Sequence, residues 1–207
     1  MQSTLINFVE ITSKLKQQWD IKQSCEFIVV DTQNKDSVAD LQFNVKPQLQ
    51  LNIYVYVLND NRDKQFNIHI NHQNNSKSEV VVKTLGAHRS HTHINIVSLI
   101  EKDALHVTSN ESIDGILLDD TAEIKVLPSM LIDGNSMKAS HSVNIGNINP
   151  EQLFYLMSRS CSKNEATKIL LNAMFHKIKS NEHKSAIRLY NNINEALNKL
   201  LEPTHAN

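Results

Sequence analysis

Residues 115–175 read GILLDDTAEIKVLPSMLIDGNSMKASHSVNIGNINPEQLFYLMSRSCSKNEATKILLNAMF. The first half of this stretch alternates apolar and polar residues as short β-strands do, and the second half has the apolar spacing of helices. One predicted strand joins the two halves, and it contains Ser140, His141 and Ser142. The stretch therefore predicts a β-rich body that leads directly into a helical segment.

The strand pattern continues upstream to about residue 26. Runs rich in β-branched residues occur at FIVVD (27–31), LQFNV (41–45), LNIYVYVL (51–58), FNIHI (66–70), EVVVK (79–83), HINIVSLI (93–100), GILLDD (115–120), AEIKVL (122–127) and SVNIG (142–146). Turns rich in Asn, Asp or Ser are predicted at 59–63, 71–76 and 109–112. Because no helical period intervenes, βαβ folds are excluded, whereas an antiparallel sandwich and a parallel β-helix both stay open. The chain has only 4 Gly, so the two-residue hairpin turns of a sandwich are scarce.

Three capped helices are predicted after residue 148. Asn149 has the character of an N-cap followed by Pro150 at the first helical position. Ser162 and Glu165 have the spacing of a capping box. Ser180 is the candidate cap of a third helix with a long apolar stripe.

The N-terminal residues predict a further short helix. Apolar residues between Leu5 and Trp19 follow helical spacing, and packing against the sheet is the favoured role for such a helix. The predicted division is an N-terminal helix and lead-in (1–25), a β core (26–148) and a C-terminal helical subdomain (149–207).

Composition excludes several classes of protein. The 207 residues have a net charge of −1, and neither residues 1–149 (−4) nor residues 150–207 (+3) show the basic excess of a nucleic-acid binder. Cys25 and Cys161 are too few for a disulfide framework and too far apart for a CxxC pair, which suits a reducing compartment. No apolar run is long enough to span a membrane and no signal peptide is evident, so a cytoplasmic location is expected.

His141 is the main candidate for chemistry. It alternates onto one strand face, and the residues that share this face are Met137, Ala139, Val143 and Ile145. By pattern alone, a single histidine on an apolar strand face is typical of a structural residue. Ser140 and His141 do not form a nucleophile and base, because neighbouring strand residues point to opposite faces.

His88, His91 and His93 form a weaker metal-site candidate. The spacing of His91 and His93 permits chelation from one strand face, but no Cys, Asp or Glu lies within six residues of the three histidines. Stacked or solvated polar side chains along a sheet are the favoured interpretation.

Other candidates are weaker still. Asp119, Asp120 and Glu123 allow the paired carboxylates of a glycosidase, although acids at strand ends beside turns are common. Cys25 and Cys161 have the character of small buried apolar residues. The phosphate-binding motif GxxxxGK[ST] is absent, so the sequence does not predict a P-loop ATPase.

The quoted stretch resembles the SufB/SufD family of iron–sulfur cluster assembly proteins, and it is closer to the SufD branch. The matching positions are Leu117, Leu118, Ala122, Glu123, Pro128, Ser140, His141, Gly146, Gln152, Leu153, Phe154, Tyr155, Leu156, Arg159, Ala166, Leu170 and Phe175. The match fades after Phe175, and the chain is about half the length that the resemblance implies, so a shortened member is expected. Ala139 stands where the family often has Cys, and Ser142 where it often has Gly.

The resemblance implies a mainly β fold with α, namely a right-handed parallel β-helix followed by a C-terminal helical subdomain. With roughly 20–25 residues per coil, five or six coils are expected. It further implies a non-catalytic scaffold subunit of a SUF-type complex. Such a subunit would pair through its β-helix with a SufB-like subunit or a second copy, and would bind a SufC-like ABC-type ATPase through the helices.

In this interpretation His141 is a metal ligand near a transient iron–sulfur cluster at the subunit interface, and any thiolate ligands come from another protein. Two alternatives stay open. One is a stand-alone β-solenoid with a carbohydrate-binding or hydrolytic role. The other is a degenerate paralogue that retains only the interaction surfaces.

Overall fold

The computed structural model describes residues 5–133, 137–175, 178 and 183–201. Its strands are β1 (Leu5–Glu10), β2 (Lys14–Ile21), β3 (Cys25–Asp31), β4 (Ser37–Val45), β5 (Gln50–Asp60), β6 (Asp63–His72), β7 (Lys77–Ala87), β8 (His91–Ile100), β9 (Val107–Leu117), β10 (Glu123–Ile132) and β11 (Met137–Asn147). Its helices are α1 (Pro150–Ser158), α2 (Lys163–Met174) and α3 (Lys184–Leu201). The predicted cap Ser180 lies outside the described residues.

All strand pairs in the two sheets are parallel. The odd-numbered strands form one sheet in the order β1-β3-β5-β7-β9-β11, and the even-numbered strands form a second in the order β10-β8-β6-β4-β2. We call these the odd sheet and the even sheet. Because successive strands alternate between the sheets, the described residues form five two-stranded coils followed by β11. The fold is the parallel β-helix that the resemblance implies, and the antiparallel sandwich is excluded.

The coils lengthen along the chain. In the first coil Leu5 of β1 pairs with Cys25, whereas in a later coil Ser78 of β7 pairs with Ser109, which lies much further along the sequence. The predicted coil length of roughly 20–25 residues is therefore too short for the later coils. These coils contain longer strands, such as β5, β7 and β9, as well as longer turns.

The predicted N-terminal helix is wrong, because this segment forms β1 and β2. Leu15 and Trp19 are four residues apart, a spacing that fits one face of a helix and also one face of a strand. Pairing of β1 with β3 and of β2 with β4 decides in favour of strands, since it supplies backbone hydrogen bonds. Trp19 then stacks on Phe43 at 4.9 Å between ring centroids and meets the edge of Phe27 at 5.0 Å.

Two of the three predicted polar turns are confirmed, and the third is wrong. Asn61 and Asn75 lie in the turns after β5 and β6 with positive φ, a conformation that asparagine tolerates better than most residues. Residues 109–112 instead lie inside β9, where Ser109 and Glu111 are buried. Both side chains make hydrogen bonds to Ser98 within the β-helix, which allows them to occupy a strand interior.

The described residues form two large hydrophobic cores and a small third cluster of Ile100, Ala104 and Val107. The first fills the β-helix, and its largest members include Phe27, Phe43, Leu51, Ile53, Phe66, Ile68 and Ile70. The second lies between the outer face of the odd sheet and the helices, and its members include Ile28, Val30, Tyr56, Leu85, Leu171, Phe175, Leu189, Ile193 and Leu197. Every residue of β3 is buried, because both of its faces are covered. Polar contacts add to this packing, since Arg188 and Asn192 of α3 reach the carboxylate of Glu10 at 3.3 and 3.2 Å.

Truncation of Phe43 tests the first core. Phe43 is fully buried between two other aromatic rings, so Phe43→Ala removes apolar contacts and leaves a cavity. We expect the free energy of unfolding to fall by about 3–5 kcal/mol. Urea denaturation followed by the fluorescence of the single tryptophan measures the change. Truncation of the exposed Leu105 to Ala is the control, and an equal loss in both variants would contradict the assignment of Phe43 to the core.

Candidate functional site

The last coil leaves one end of the β-helix open. β10 and β11 are the last strands of their sheets, so within the described residues no further coil covers their inward-facing side chains. We call this surface the open end. Its residues continue the inward-facing positions of β8 and β9, and they include Val126, Pro128, Met130, Ile132, Ala139, His141 and Val143. The open end therefore combines apolar side chains with one imidazole.

His141 occupies the inner face of β11. It is in register with Glu111, which is only 2% exposed and points into the β-helix. In-register residues of neighbouring strands project to the same side, so His141 also points inward, and it is exposed because no coil follows. Ser140 projects to the outer face and donates a hydrogen bond from Oγ to Asn110 Oδ1 at 2.8 Å. The predicted alternation of faces is confirmed, and the functional role of His141 stays a prediction.

A series of buried polar side chains leads from a turn of the β-helix toward the open end. His72 contacts Ser76 Oγ through Nδ1 at 2.9 Å and Ser78 Oγ through Nε2 at 3.0 Å. Ser78 Oγ in turn lies 3.1 Å from Ser109 Oγ in the next coil. Burial lowers the pKa of His72 to about 4, so the ring is neutral at physiological pH.

The series ends at Glu111. Ser109 donates to Ser98 Oγ at 3.1 Å, and Ser98 donates to Glu111 Oε1 at 2.7 Å. We call His72, Ser78, Ser109, Ser98 and Glu111 the interior polar chain. Burial raises the pKa of Glu111, while the hydrogen bond from Ser98 and the nearby charge of His141 act in the opposite direction. The sequence interpretation missed Glu111 because residues 109–112 have the composition of a turn, although Val107, Ser109, Glu111 and Ile113 do alternate as strand residues do.

Of the three histidines in the weaker metal-site candidate, His88 and His91 contact carboxylates at the surface, and His93 is exposed on β8. His91 Nδ1 lies 2.8 Å from Asp63 Oδ1, and His91 is in register with both Asp63 and Glu123 of the flanking coils. His88 contacts Asp60 in the same way at 2.8 Å. The carboxylates come from neighbouring coils and are distant from these histidines in sequence. Among the described residues, no group of three or more His, Cys, Asp or Glu is arranged to hold a metal ion.

The remaining candidates have structural contacts. Asp119 accepts hydrogen bonds from the backbone N–H groups of His88 at 2.7 Å and Thr121 at 2.9 Å, so its carboxylate caps a turn. Cys25 packs in the first core, where burial raises the pKa of its thiol. Cys161 is half-buried just after α1.

Helix α1 exposes a large aromatic surface beside the open end. Asn149 Oδ1 accepts from the N–H groups of Glu151 and Gln152, as the sequence predicted for this cap. The helix contains no buried residue, and Phe154 is 73% exposed. Its other large exposed residues are Tyr155 and Met157, and we call these three residues the α1 surface. Only two residues separate β11 from α1, so the open end and the α1 surface are directly connected.

The two parallel sheets, the helices packed on the odd sheet and the open last coil define a parallel β-helix protein with a C-terminal helical segment. No described helix combines the length and apolar character needed to cross a membrane. The family model described as SUF system FeS cluster assembly, SufBD core domain, matches residues 13–174. The chain belongs to the SufBD core domain family.

Three relatives illustrate the similarity. The chain is 31% identical over 77 residues to the iron–sulfur cluster assembly protein SufD of Bacillus subtilis, and 36% identical over 76 residues to a SufBD family protein of Pyrococcus horikoshii. It is 26% identical over 97 residues to a SufBD family protein of Staphylococcus haemolyticus. These alignments cover 37%, 37% and 47% of this chain, but only 18%, 16% and 21% of the relatives.

The neutral His72 predicts a pH dependence of stability. Below pH 6.5 the histidine of the unfolded chain binds a proton that the folded chain does not bind until about pH 4. The free energy of unfolding therefore has its full value above pH 6.5, and it falls as the pH drops toward 4. We expect this effect to destabilise the wild type by about 2 kcal/mol between pH 7 and pH 5, relative to His72→Gln over the same interval.

Urea denaturation at the two pH values measures this difference. The exposed His69→Gln is the control and is expected to show the wild-type pH dependence. If the free energy of unfolding changed equally between pH 7 and pH 5 in the wild type and in His72→Gln, a neutral buried His72 would be contradicted.

Proposed function

We propose that this chain is a non-catalytic scaffold subunit of a SUF-type iron–sulfur cluster assembly complex and that it acts as a SufD-like subunit. Membership of the SufBD core domain family supports the proposal, as do relatives named for iron–sulfur cluster assembly. The observation that carries it is the open end of the β-helix, where an imidazole lies among uncovered apolar side chains.

The open end is the proposed pairing surface. Within the described residues, β11 pairs with β9 on one side and with no strand on the other, so half of its backbone polar groups are available to a partner. Ile132 and Val143 are exposed on the same end of the β-helix. A SufB-like subunit or a second copy of this chain would cover the apolar residues and extend the odd sheet, which removes both an edge and an apolar patch from water.

The cluster under assembly is the cargo of this interface. His141 offers an uncovered imidazole, which is a suitable iron ligand. Ala139 offers no thiolate on the same strand face, and Cys25 is buried in the core. The sulfur ligands therefore belong to the partner protein in this proposal.

The α1 surface is the proposed docking site for a SufC-like ABC-type ATPase. Exposed aromatic and methionine side chains are typical of the centre of a protein interface. Because α1 follows β11 after two residues, a movement of α1 driven by ATP would be transmitted directly to the strand that carries His141.

Substitution of His141 tests the role at the open end. We expect His141→Ala to lower cluster formation on the complex with a SufB-like subunit and the ATPase by about tenfold or more, because a ligand is lost. Co-purification measures assembly, and anaerobic reconstitution followed by absorption spectroscopy measures the cluster.

His93→Ala, which removes an exposed strand histidine elsewhere, is the matched control and is expected to behave as wild type. Unchanged cluster formation in His141→Ala would refute the site while leaving the scaffold role. Absence of any association between the wild-type chain and these partners would refute the scaffold role itself.

Substitution of Phe154 tests ATPase docking. We expect Phe154→Asp to weaken ATPase binding by about 30-fold or more, as the loss of an interface hot spot does. Leu105→Asp is the control, because Leu105 is also exposed but precedes β9 at the opposite end of the odd-sheet strands. Calorimetric titration of the ATPase into each variant measures the affinities. Equal affinities for the two variants would exclude the α1 surface as the docking site.

A further inference from the structure

A buried carboxylate lies directly next to His141. Glu111 and His141 are in-register residues of β9 and β11, and neighbouring strands in a sheet are about 4.8 Å apart. Both side chains project into the β-helix, where Glu111 is buried and His141 is exposed at the open end. His141 is close enough to affect the pKa of Glu111.

One oxygen of Glu111 is held in place, and the other has no hydrogen-bond partner. Oε1 accepts the hydrogen bond from Ser98, whereas Oε2 is shielded from solvent and receives no hydrogen bond from any described residue, His141 included. An unsatisfied buried carboxylate oxygen costs free energy, and such groups are rare in folded proteins. Other buried polar atoms of the described residues also lack a partner, but among them Oε2 is the one that lies next to the exposed imidazole of the open end, where it is available to coordinate a cation.

The interior polar chain fixes the orientation of this carboxylate. Ser98 is itself held by Ser109, which is linked through Ser78 to His72, so the anchor of Oε1 extends through three coils of the β-helix. A carboxylate whose rotamer is fixed by its neighbours binds a cation at a lower entropic cost than a mobile one.

We propose that Glu111 and His141 form a half-site for ferrous iron at the open end, in which Oε2 of Glu111 and a ring nitrogen of His141 are the two ligands. Imidazole and carboxylate are a ligand combination that iron(II) sites use, and the positive ion compensates the buried negative charge. Two ligands leave the coordination sphere open, so the remaining ligands come from the partner subunit. The inference deepens the proposed function, since it assigns to this chain the binding of iron before the cluster is complete.

Binding of Fe²⁺ alone tests the half-site without any measurement of cluster assembly. Anaerobic equilibrium dialysis of Fe²⁺, and the absorption bands of Co²⁺ as a spectroscopic probe, are measured on the full chain alone and in its complex. We expect Glu111→Gln and His141→Ala each to weaken Fe²⁺ binding by about 100-fold or more, because a ligand is lost and the loss of a second-shell partner already costs about 10–100-fold. Because both residues contact one ion, the double variant is expected to lose less than the two single losses combined.

The matched control is Glu26→Gln, which changes another buried glutamate of the odd sheet far from the open end. It is expected to retain wild-type affinity. Ser98→Ala keeps both ligands but removes the donor to Oε1, so a smaller loss of Fe²⁺ affinity is expected. If Glu111→Gln does not fold, Ser98→Ala replaces it in the test.

Wild-type Fe²⁺ affinity in folded Glu111→Gln would overturn the half-site, as would the absence of Fe²⁺ binding by the wild type both alone and in the complex. Neither result affects the association tests of the scaffold role. Conversely, Glu111-dependent Fe²⁺ binding by a chain that recruits no SUF partner would support the half-site and refute the scaffold role.

Discussion

The in-register stacking of parallel strands is the constraint on which the rest of this structure depends. Each coil places its inward-facing side chains directly against those of the next coil, so the core is continuous from β1 to β9. The last coil has no successor among the described residues, and its inward-facing residues are left uncovered. The exposure of His141 and Val143 therefore follows from the architecture itself, and only a second protein chain, or residues beyond those described, can bury them.

The second core determines which parts of the helical segment are packed on the odd sheet and which are exposed to solvent. α2 and α3 pack their apolar stripes on the outer face of the odd sheet, where Tyr56 and Phe175 meet at 5.7 Å between ring centroids. α1 contacts mainly α2 and buries none of its own residues. The uncovered part of the helices thus lies beside the uncovered end of the β-helix. The two-residue link from β11 to α1 joins these two surfaces.

Polar residues have different roles inside and outside the β-helix. On the surface, Asp63, His91 and Glu123 stack in water, where their charges are screened and their interactions are worth little. Inside, His72 and Glu111 are desolvated, and each unsatisfied atom is costly. Apolar side chains stacked at these positions would pack without the cost of desolvating polar atoms. These buried polar groups therefore avoid that cost only where their atoms are paired, as Oε1 of Glu111 is with Ser98.

Local sequence determined the elements whose hydrogen bonds are local. The capping box of Ser162 and Glu165 and the cap at Asn149 are complete within a single helical turn, so they could be predicted from spacing alone, as could the alternation that places His141 on an apolar face. Local sequence failed where two structures satisfy one pattern, as at Trp19, whose strand conformation depends on pairing with β4. Glu111 and His141 are distant in sequence, and coil length and register alone place them side by side. Only the tertiary structure decided that contact, because the backbone hydrogen bonds that fix register join residues of different coils.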